Sequence, residues 1–151
     1  MKVYLGADHR GFKLKEKIKA WLKERKINFE DKGAYQYDKN DDYPDFGSQV
    51  GQKVSEAGGK GIVVCGSGVG ISLAAGKFKG VRAMIGFNVS QVKHGVEFDH
   101  ANVLSLPADH INLKLAKKMV KVFLETNRGR QVRNLRRVNK IKQIEERNFV
   151  C

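Results

Sequence analysis

The sequence is poor in cysteine and has no long apolar run. Its two cysteines, Cys65 and Cys151, are too few for a disulfide framework. No apolar segment approaches the roughly 20 residues that a membrane-spanning helix needs. Residues 1–10 hold a short apolar stretch followed by an acid and a histidine, which is typical of a first strand rather than a signal peptide. We therefore expect a protein of the reducing cytoplasm with no membrane partner.

Acidic residues are also scarce, with 16 Asp and Glu against 29 Lys and Arg, so the formal net charge is +13. Such an excess can indicate a nucleic-acid partner. The cations are concentrated in segments 13–26 and 128–147, where we expect most of them to lie on solvated helix faces. No zinc-finger spacing, RNP-like aromatic pattern or basic-zipper layout accompanies them. We therefore predict no nucleic-acid binding; an anionic small substrate needs only two or three of these cations.

Strand-like and helix-like segments alternate along the chain. The predicted strands are 2–7, 27–31, 61–65, 80–87 and 102–106, and the predicted helices are 11–26, 46–57, 69–78, 90–98, 111–126 and 131–147. A polar loop covers 33–45, and no repeat, linker or second domain is evident. Repeated β-then-α order predicts a single α/β domain over 1–151, a three-layer sandwich with a five-stranded parallel sheet and helices on both faces.

Ligands of such sheets bind at the carboxyl ends of the strands, near a topological switch point. This rule selects three places for the site. They are Asp8–His9 after the first strand, the turn 65–70 after the third, and the loop near His100 before the fifth.

The turn Cys65–Gly70, CGSGVG, follows a buried strand and opens a helix. Glycines let the backbone turn tightly and bring N–H groups close to an anion. A tight turn without a ligand is the plainer interpretation. A dinucleotide fingerprint requires G-x-G-x-x-G, whereas the glycines here run G-x-G-x-G, and the lysine of a Walker motif is missing. We therefore expect an anion site but neither NAD nor ATP.

The polar residues at these strand ends each allow two interpretations. Cys65 is either a buried structural cysteine or a reactive thiol, since a helix N-terminus favours the thiolate. Ser67 either places a hydroxyl beside that thiol or shapes the turn. Asp8 either points into the crevice or caps the first helix, and His9 is either a ligand or a surface histidine.

Several motifs occur in a fixed order: GADHRGFKLK (6–15), DYPDFG (42–47), GIVVCGSGVGISLAAGK (61–77), GVRA (80–83) and ANVL (101–104). Together with the late arginines they resemble the ribose-5-phosphate isomerase B family, which includes galactose-6-phosphate isomerase subunits. The resemblance implies a Rossmann-like sandwich that needs no metal or nucleotide cofactor. It also implies a homodimer, or a tetramer of two dimers, with shared active sites and with the helix at about 130–147 packed on the partner subunit.

The resemblance further implies isomerisation of a phosphorylated sugar, most simply ribose 5-phosphate to ribulose 5-phosphate. The sugar opens, a base removes the C2 proton to give an enediolate, and the proton returns at C1. The implied catalytic residues are Cys65 as base, Ser67 moving protons between O1 and O2, and Asp8 at the ring oxygen or a hydroxyl. The implied substrate-binding residues are His9, Tyr43, Gly66, Gly68, Val69, Gly70, Asp99, Arg133 and Arg137. Tyr43 alternatively is a packing residue.

The chain departs from the family pattern where the sugar ring would be opened. Phe98 stands where the family usually has a ring-opening histidine, and Asp99 stands where it usually has an asparagine. We hypothesise that His100 takes over ring opening. These departures keep two alternatives open: an isomerase of another aldose phosphate, such as a hexose 6-phosphate, and a degenerate homologue that senses a phosphosugar or binds nucleic acid through its basic tail. Cys151 has no predicted role.

Overall fold

The computed structural model describes residues 1–149, so Cys151 lies outside the described residues. The strands are β1 (Val3–Ala7), β2 (Phe29–Asp31), β3 (Lys60–Cys65), β4 (Ala83–Ile85) and β5 (Val103–Pro107). The helices are α1 (Phe12–Glu24), α2 (Tyr43–Ala57), α3 (Val69–Ala75), α4 (Val89–Asp99), α5 (Leu113–Glu125) and α6 (Val132–Asn148). All strand pairs are parallel, in the order β2-β1-β3-β5-β4. The predicted α/β class with one five-stranded parallel sheet is confirmed.

The sheet has a hydrophobic core on each face because its central strands are apolar on both sides. Ile62 and Val64 of β3 pack in one core with α1, α4 and α5. Val63 and Cys65 alternate to the other core, with α2 and α3. Helix α6 lies outside these layers against α4. No helix within residues 1–149 is long and apolar enough to cross a bilayer.

Most predicted boundaries differ from the structure by one to three residues, and α2 and β4 are two of the larger differences. Helix α2 begins at Tyr43 rather than at residue 46, because Pro44 occupies its first turn, where the missing N–H has no helical partner to lose. Strand β4 covers only Ala83–Ile85 of the predicted 80–87 and forms an edge of the sheet.

Most lysines of α1 were expected on a solvated face, and Lys15 is an exception because it is fully buried. Its ammonium group donates to both oxygens of Asp31, at 2.7 and 2.9 Å, and to the carbonyl of Ala34 at 2.6 Å. Burial would raise the pKa of Asp31, but hydrogen bonds from Lys15 and Lys19 outweigh it and lower this pKa. Lys15 thus ties α1 to the segment after β2.

The strand order places the topological switch point between β1 and β3. The chain passes from β1 to β2 on one side and then returns to form β3 on the other side. The register pairs Ala7 with Val64, so Asp8 and Cys65 follow neighbouring strands at the same edge of the sheet. A crevice of this kind is where open α/β sheets bind ligands.

Candidate active site

The turn after β1 lies directly against the end of β3. The N–H of Asp8 donates to the carbonyl of Val64 at 3.3 Å. A Cβ at Gly11 would lie 2.2 Å from that same carbonyl oxygen, so only glycine permits this approach. The carboxylate of Asp8 is buried and accepts from the N–H of Gly11 at 3.0 Å. Asp8 therefore lies in the crevice and also supports the start of α1, which combines its two predicted roles.

Cys65 is the last residue of β3, and 4% of its surface is exposed. Its sulfur accepts a hydrogen bond from the N–H of Gly68 at 3.2 Å. Gly68 has φ +74°, a left-handed conformation that favours glycine. The carbonyl of Gly68 accepts from the buried hydroxyl of Ser105 at 2.6 Å, so β5 fixes the turn that holds the thiol.

The amides of the glycine turn do not all face outward. The N–H of Gly68 is directed to the sulfur of Cys65, and the N–H of Val69 donates to the hydroxyl of Ser67 at 3.2 Å. The turn therefore holds the Cys65 sulfur with one of its own amides, and the Ser67 side chain is exposed beside it.

His9 is bound to an acid that the sequence analysis did not single out. One carboxylate oxygen of Asp41 accepts from the N–H of His9 at 2.8 Å and lies 2.7 Å from its Nδ1. This hydrogen bond to Asp41 raises the pKa of His9. Burial raises the pKa of Asp8, and the charge of Asp41 adds to this effect. Asp41 comes immediately before the DYPDFG motif, but only the fold brings it to His9.

Tyr43 lies over the glycine turn. A Cβ built at Gly70 would be 2.6 Å from the tyrosine ring, so the ring packs directly on the Gly70 backbone while the residue stays partly exposed. Both predictions for Tyr43, packing and lining the site, are compatible with this position. Within residues 1–149, no group of three His, Cys, Asp or Glu side chains is placed to hold a metal ion.

The remaining predicted residues lie at the opposite edge of the sheet. His100 and Asp99 precede β5, so they lie at its amino end, and the prediction that the His100 loop shares an edge with Cys65 is wrong. Five residues of β5 span about 16 Å. Arg133 and Arg137 are exposed in the first half of α6, whose preceding Gly129 donates to the carbonyl of Glu97 in α4. They belong to this second edge.

His100 is largely buried and ends α4 in a left-handed conformation. Its Nε2 lies 2.9 Å from the carbonyl oxygen of Gly129, and its own carbonyl accepts from Arg82 at 2.9 Å. These contacts join α4 to the segment before α6. A cavity of about 850 Å³ opens there, lined by His100 together with Arg128 and Arg130.

The fold and the crevice define a doubly wound α/β protein with a thiol and an amide-rich turn at its switch point. The Ribose/Galactose Isomerase profile matches residues 3–141, and the chain belongs to that family. It is 40% identical to ribose-5-phosphate isomerase B of Escherichia coli over 97% of each chain. It is 37% identical to the probable ribose-5-phosphate isomerase B of Mycoplasma genitalium over 95% of each chain.

Solved structures agree with this assignment. The chain is similar to ribose-5-phosphate isomerase B of Clostridium thermocellum, with a TM-score of 0.92, 37% identity and coverage of 98% of this chain and 99% of that one. It is also similar to the Mycoplasma genitalium enzyme with bound ribulose-5-phosphate, with a TM-score of 0.92, 36% identity and 96% coverage of both chains. The protein is an aldose–ketose isomerase of the sugar-phosphate class.

Proposed function

We propose that the protein interconverts ribose 5-phosphate and ribulose 5-phosphate with Cys65 as the base. The observation that carries this proposal is the Cys65 sulfur, which accepts the Gly68 N–H at 3.2 Å at the β1–β3 switch point, with Asp8 after the neighbouring strand. A relative with the same fold binds ribulose-5-phosphate, which supports the pentose phosphate as substrate.

In the proposed reaction the Cys65 thiolate removes the proton from C2 of the open aldose. The electron pair of the C2–H bond forms the enediolate double bond, and the negative charge moves to O1. Ser67 carries a proton between O1 and O2, and the protonated thiol returns its proton to C1. Remaining N–H groups of Gly66–Gly70 stabilise the developing oxyanion. Asp8 contacts the ring oxygen or a sugar hydroxyl.

The phosphate end requires a second copy of the chain in this proposal. Arg133 and Arg137 suit phosphate through bidentate hydrogen bonds, yet they lie at the amino edge of their own sheet. Several apolar side chains are more than half exposed, among them Leu73 at 62%, Phe87 at 62% and Val132 at 82%. In this proposal a homodimer brings α6 of one subunit to Cys65 of the other; sedimentation would distinguish a dimer from a tetramer.

The variant Cys65→Ala tests the base. A general base contributes about 10²–10⁴ in rate, so we expect kcat to fall by that factor while the affinity for inorganic phosphate is kept. Cys151→Ala is the matched control, because it removes the other thiol of the chain. Full turnover by Cys65→Ala would remove Cys65 from the role.

A substrate panel tests the alternative sugars. Incubation in D₂O with ribose 5-phosphate and with hexose 6-phosphates, read by deuterium exchange at C2, would show which sugar enters the enediolate. Exchange with a hexose phosphate alone would favour the hexose enzyme. Binding without exchange on every sugar would favour the degenerate binding homologue.

Ring opening by His100 stays a proposal, and the contacts of its imidazole favour a structural role. His100→Asn, assayed on cyclic substrate, should slow turnover if the imidazole opens the ring. An unchanged rate would remove His100 from catalysis.

A further inference from the structure

An ion pair lies against the glycine turn Cys65–Gly70, and its two members come from different loops. Arg10 follows β1, Asp109 follows β5, and an Nη of Arg10 donates to an Asp109 carboxylate oxygen. The backbone of the β5–α5 turn is also bound to this place, because the N–H of Asp109 donates to the carbonyl of Gly66 at 3.0 Å. The N–H of Ala108 likewise donates to the carbonyl of Cys65 at 2.9 Å. Asp109 is thus anchored beside the proposed base.

The pair lies in contact distance of the residue that follows Cys65. A Cβ built at Gly66 would be 2.6 Å from Nε of Arg10 and 2.7 Å from an oxygen of Asp109. The absent side chain of Gly66 is therefore what admits the guanidinium against the turn. The guanidinium therefore lies against the residue that follows the proposed base.

Arg10 retains free donors in that position. Its side chain is 60% exposed, and a guanidinium has five N–H groups in a planar fork. Asp109 occupies one side of the fork and holds it in place, which reduces the rotamer freedom that ligand binding would otherwise remove. The neighbouring cation His9 is already bound to Asp41, so Arg10 is the cation of this turn with donors to offer.

We propose that Arg10 is a further substrate-binding residue, which contacts the phosphate of the sugar phosphate from the same subunit as Cys65. Asp109 is its positioning residue. The inference rests on the proposed function for the identity of the ligand, and it adds a phosphate contact that needs no partner subunit. A guanidinium fork matches two phosphate oxygens through parallel hydrogen bonds.

The test measures KM for ribose 5-phosphate, the inhibition constant of inorganic phosphate and kcat on the full-length protein. In the Arg10→Ala variant the Asp109 carboxylate loses its ion-pair partner and repels the phosphate. We expect KM and the phosphate inhibition constant to rise about tenfold or more, with kcat changed much less, since a hydrogen bond to a charged group is typically worth about that factor. The double variant with Asp109→Ala should bind phosphate more tightly than Arg10→Ala, because the repelling carboxylate is gone.

Two further variants separate binding from folding. Arg10→Lys keeps the charge but loses the fork, and we expect a severalfold rise in both constants with an unchanged melting temperature. Arg25→Ala is the matched control, because Arg25 stacks on Trp21 at the far end of α1. If Arg10→Ala and Arg10→Lys fold and keep the wild-type KM and phosphate constant, the inference is overturned. A raised KM with an unchanged phosphate constant would equally overturn it, since Arg10 would then contact the sugar.

Calorimetric titration with inorganic phosphate keeps this test independent of turnover. If ribose 5-phosphate is not isomerised but the Arg10 variants lose phosphate affinity relative to the parent protein, the proposed substrate is wrong and the Arg10 contact stands. If ribose 5-phosphate is isomerised and phosphate affinity is unchanged in those variants, the proposed function stands and the Arg10 contact is wrong.

Discussion

The two edges of the sheet divide the chemistry of the molecule between them. At the carboxyl edge the thiol, the glycine turn and Asp8 lie together, and the cations His9 and Arg10 are each bound to an acid. At the amino edge Arg133 and Arg137 are exposed, and no ion pair found within residues 1–149 involves them. One edge holds reactive groups with balanced charge, and the other holds unpaired cations without a reactive group.

In the proposed function this division separates two groups of phosphate-binding cations within one chain. Arg10 offers only the donors that Asp109 leaves free, whereas the exposed Arg133 and Arg137 offer their whole guanidinium groups. If two chains place one edge against the other, each site gains both components.

The largest effect should follow removal of both arginines of the amino edge. Arg133→Ala combined with Arg137→Ala should raise KM for a sugar phosphate on the order of a hundredfold, since each charged hydrogen bond contributes roughly 1.5–3 kcal/mol. Mixing this protein with Cys65→Ala by refolding should restore activity, because a heterodimer contains one intact shared site. At equal amounts about one quarter of wild-type activity is expected for a two-fold dimer.

The control for this mixing experiment is Arg136→Ala refolded with Cys65→Ala. Arg136 lies on the same helix and is equally exposed, but it is not assigned to the site. No recovery by the mixed arginine and cysteine variants would contradict sharing and would place the phosphate on cations of the same subunit.

The next effect concerns the scaffold of the carboxyl edge. Lys15→Met removes the cation that binds Asp31 and the Ala34 carbonyl, and Ala34 in turn donates to the carbonyl of Ala7 at the end of β1. Breaking a buried pair from one side costs about 3–5 kcal/mol, so we expect a fall in the free energy of unfolding of that order, measured in urea. Lys17→Met, exposed on the same helix, should change it by less than about 0.5 kcal/mol. Equal stability of the two variants would contradict the assigned role of Lys15.

A smaller effect should appear in the titration of His9. The hydrogen bond that His9 donates to Asp41 raises the pKa of His9, so its cation persists to a higher pH than that of an ordinary histidine. Any contribution of this pair to stability is therefore complete below pH about 6.5 and is lost as the pH rises through the raised value. In Asp41→Asn we expect the pKa of His9 to fall and the pH limit of phosphate binding to move down with it.

Proton NMR of the His9 ring, with inorganic phosphate titrated at several pH values, measures both quantities. Asp38→Asn, in the exposed part of the same loop, is the control and should leave the titration unchanged. A His9 titration that does not move in Asp41→Asn would show that the Asp41 contact is absent in solution.

The sequence was sufficient for the features that depend on local pattern. The buried run at 61–65 predicted β3, and the glycines after it predicted the turn that holds Cys65, because both signals are contained in a few consecutive residues. The pairs Arg10–Asp109 and His9–Asp41 were not predictable, since 99 and 32 residues separate their members. The strand order determines which acids lie beside which cations, and no local sequence pattern predicts that order.

The error about His100 has a different cause. The sequence put it in a loop beside a strand, but the rule for parallel sheets concerns the end of the strand, and His100 lies before β5. Lys15 was expected at the surface because helical periodicity counts lysine as polar. Its long apolar side chain can instead be buried when an acid binds the terminal ammonium group. The place of His100 depends on which end of the strand it flanks, and the burial of Lys15 depends on the acid that binds it. Residue type alone determines neither.

The smallest expected effect lies at the amino edge, where Lys60 begins β3. Its ammonium donates to the carbonyl of Phe123 near the end of α5. Burial, aided by the charge of Arg128, lowers the pKa of Lys60 to about 8. The folded protein therefore releases this proton near pH 8, while the unfolded chain keeps it until about pH 10.4. Between these values the unfolded state binds more protons, so this group makes stability rise with pH.

Lys60→Met should remove this rise of stability with pH. We expect the melting temperature of the parent protein, relative to Lys60→Met, to increase by several degrees between pH 7.5 and 10, in the direction that the lowered pKa of Lys60 gives. Lys53→Met, exposed on α2, should keep the parent's pH dependence. If the parent and Lys60→Met curves run parallel over this range, Lys60 is not desolvated in solution. The end of α5 would then be open to water at the edge that the second subunit is proposed to approach.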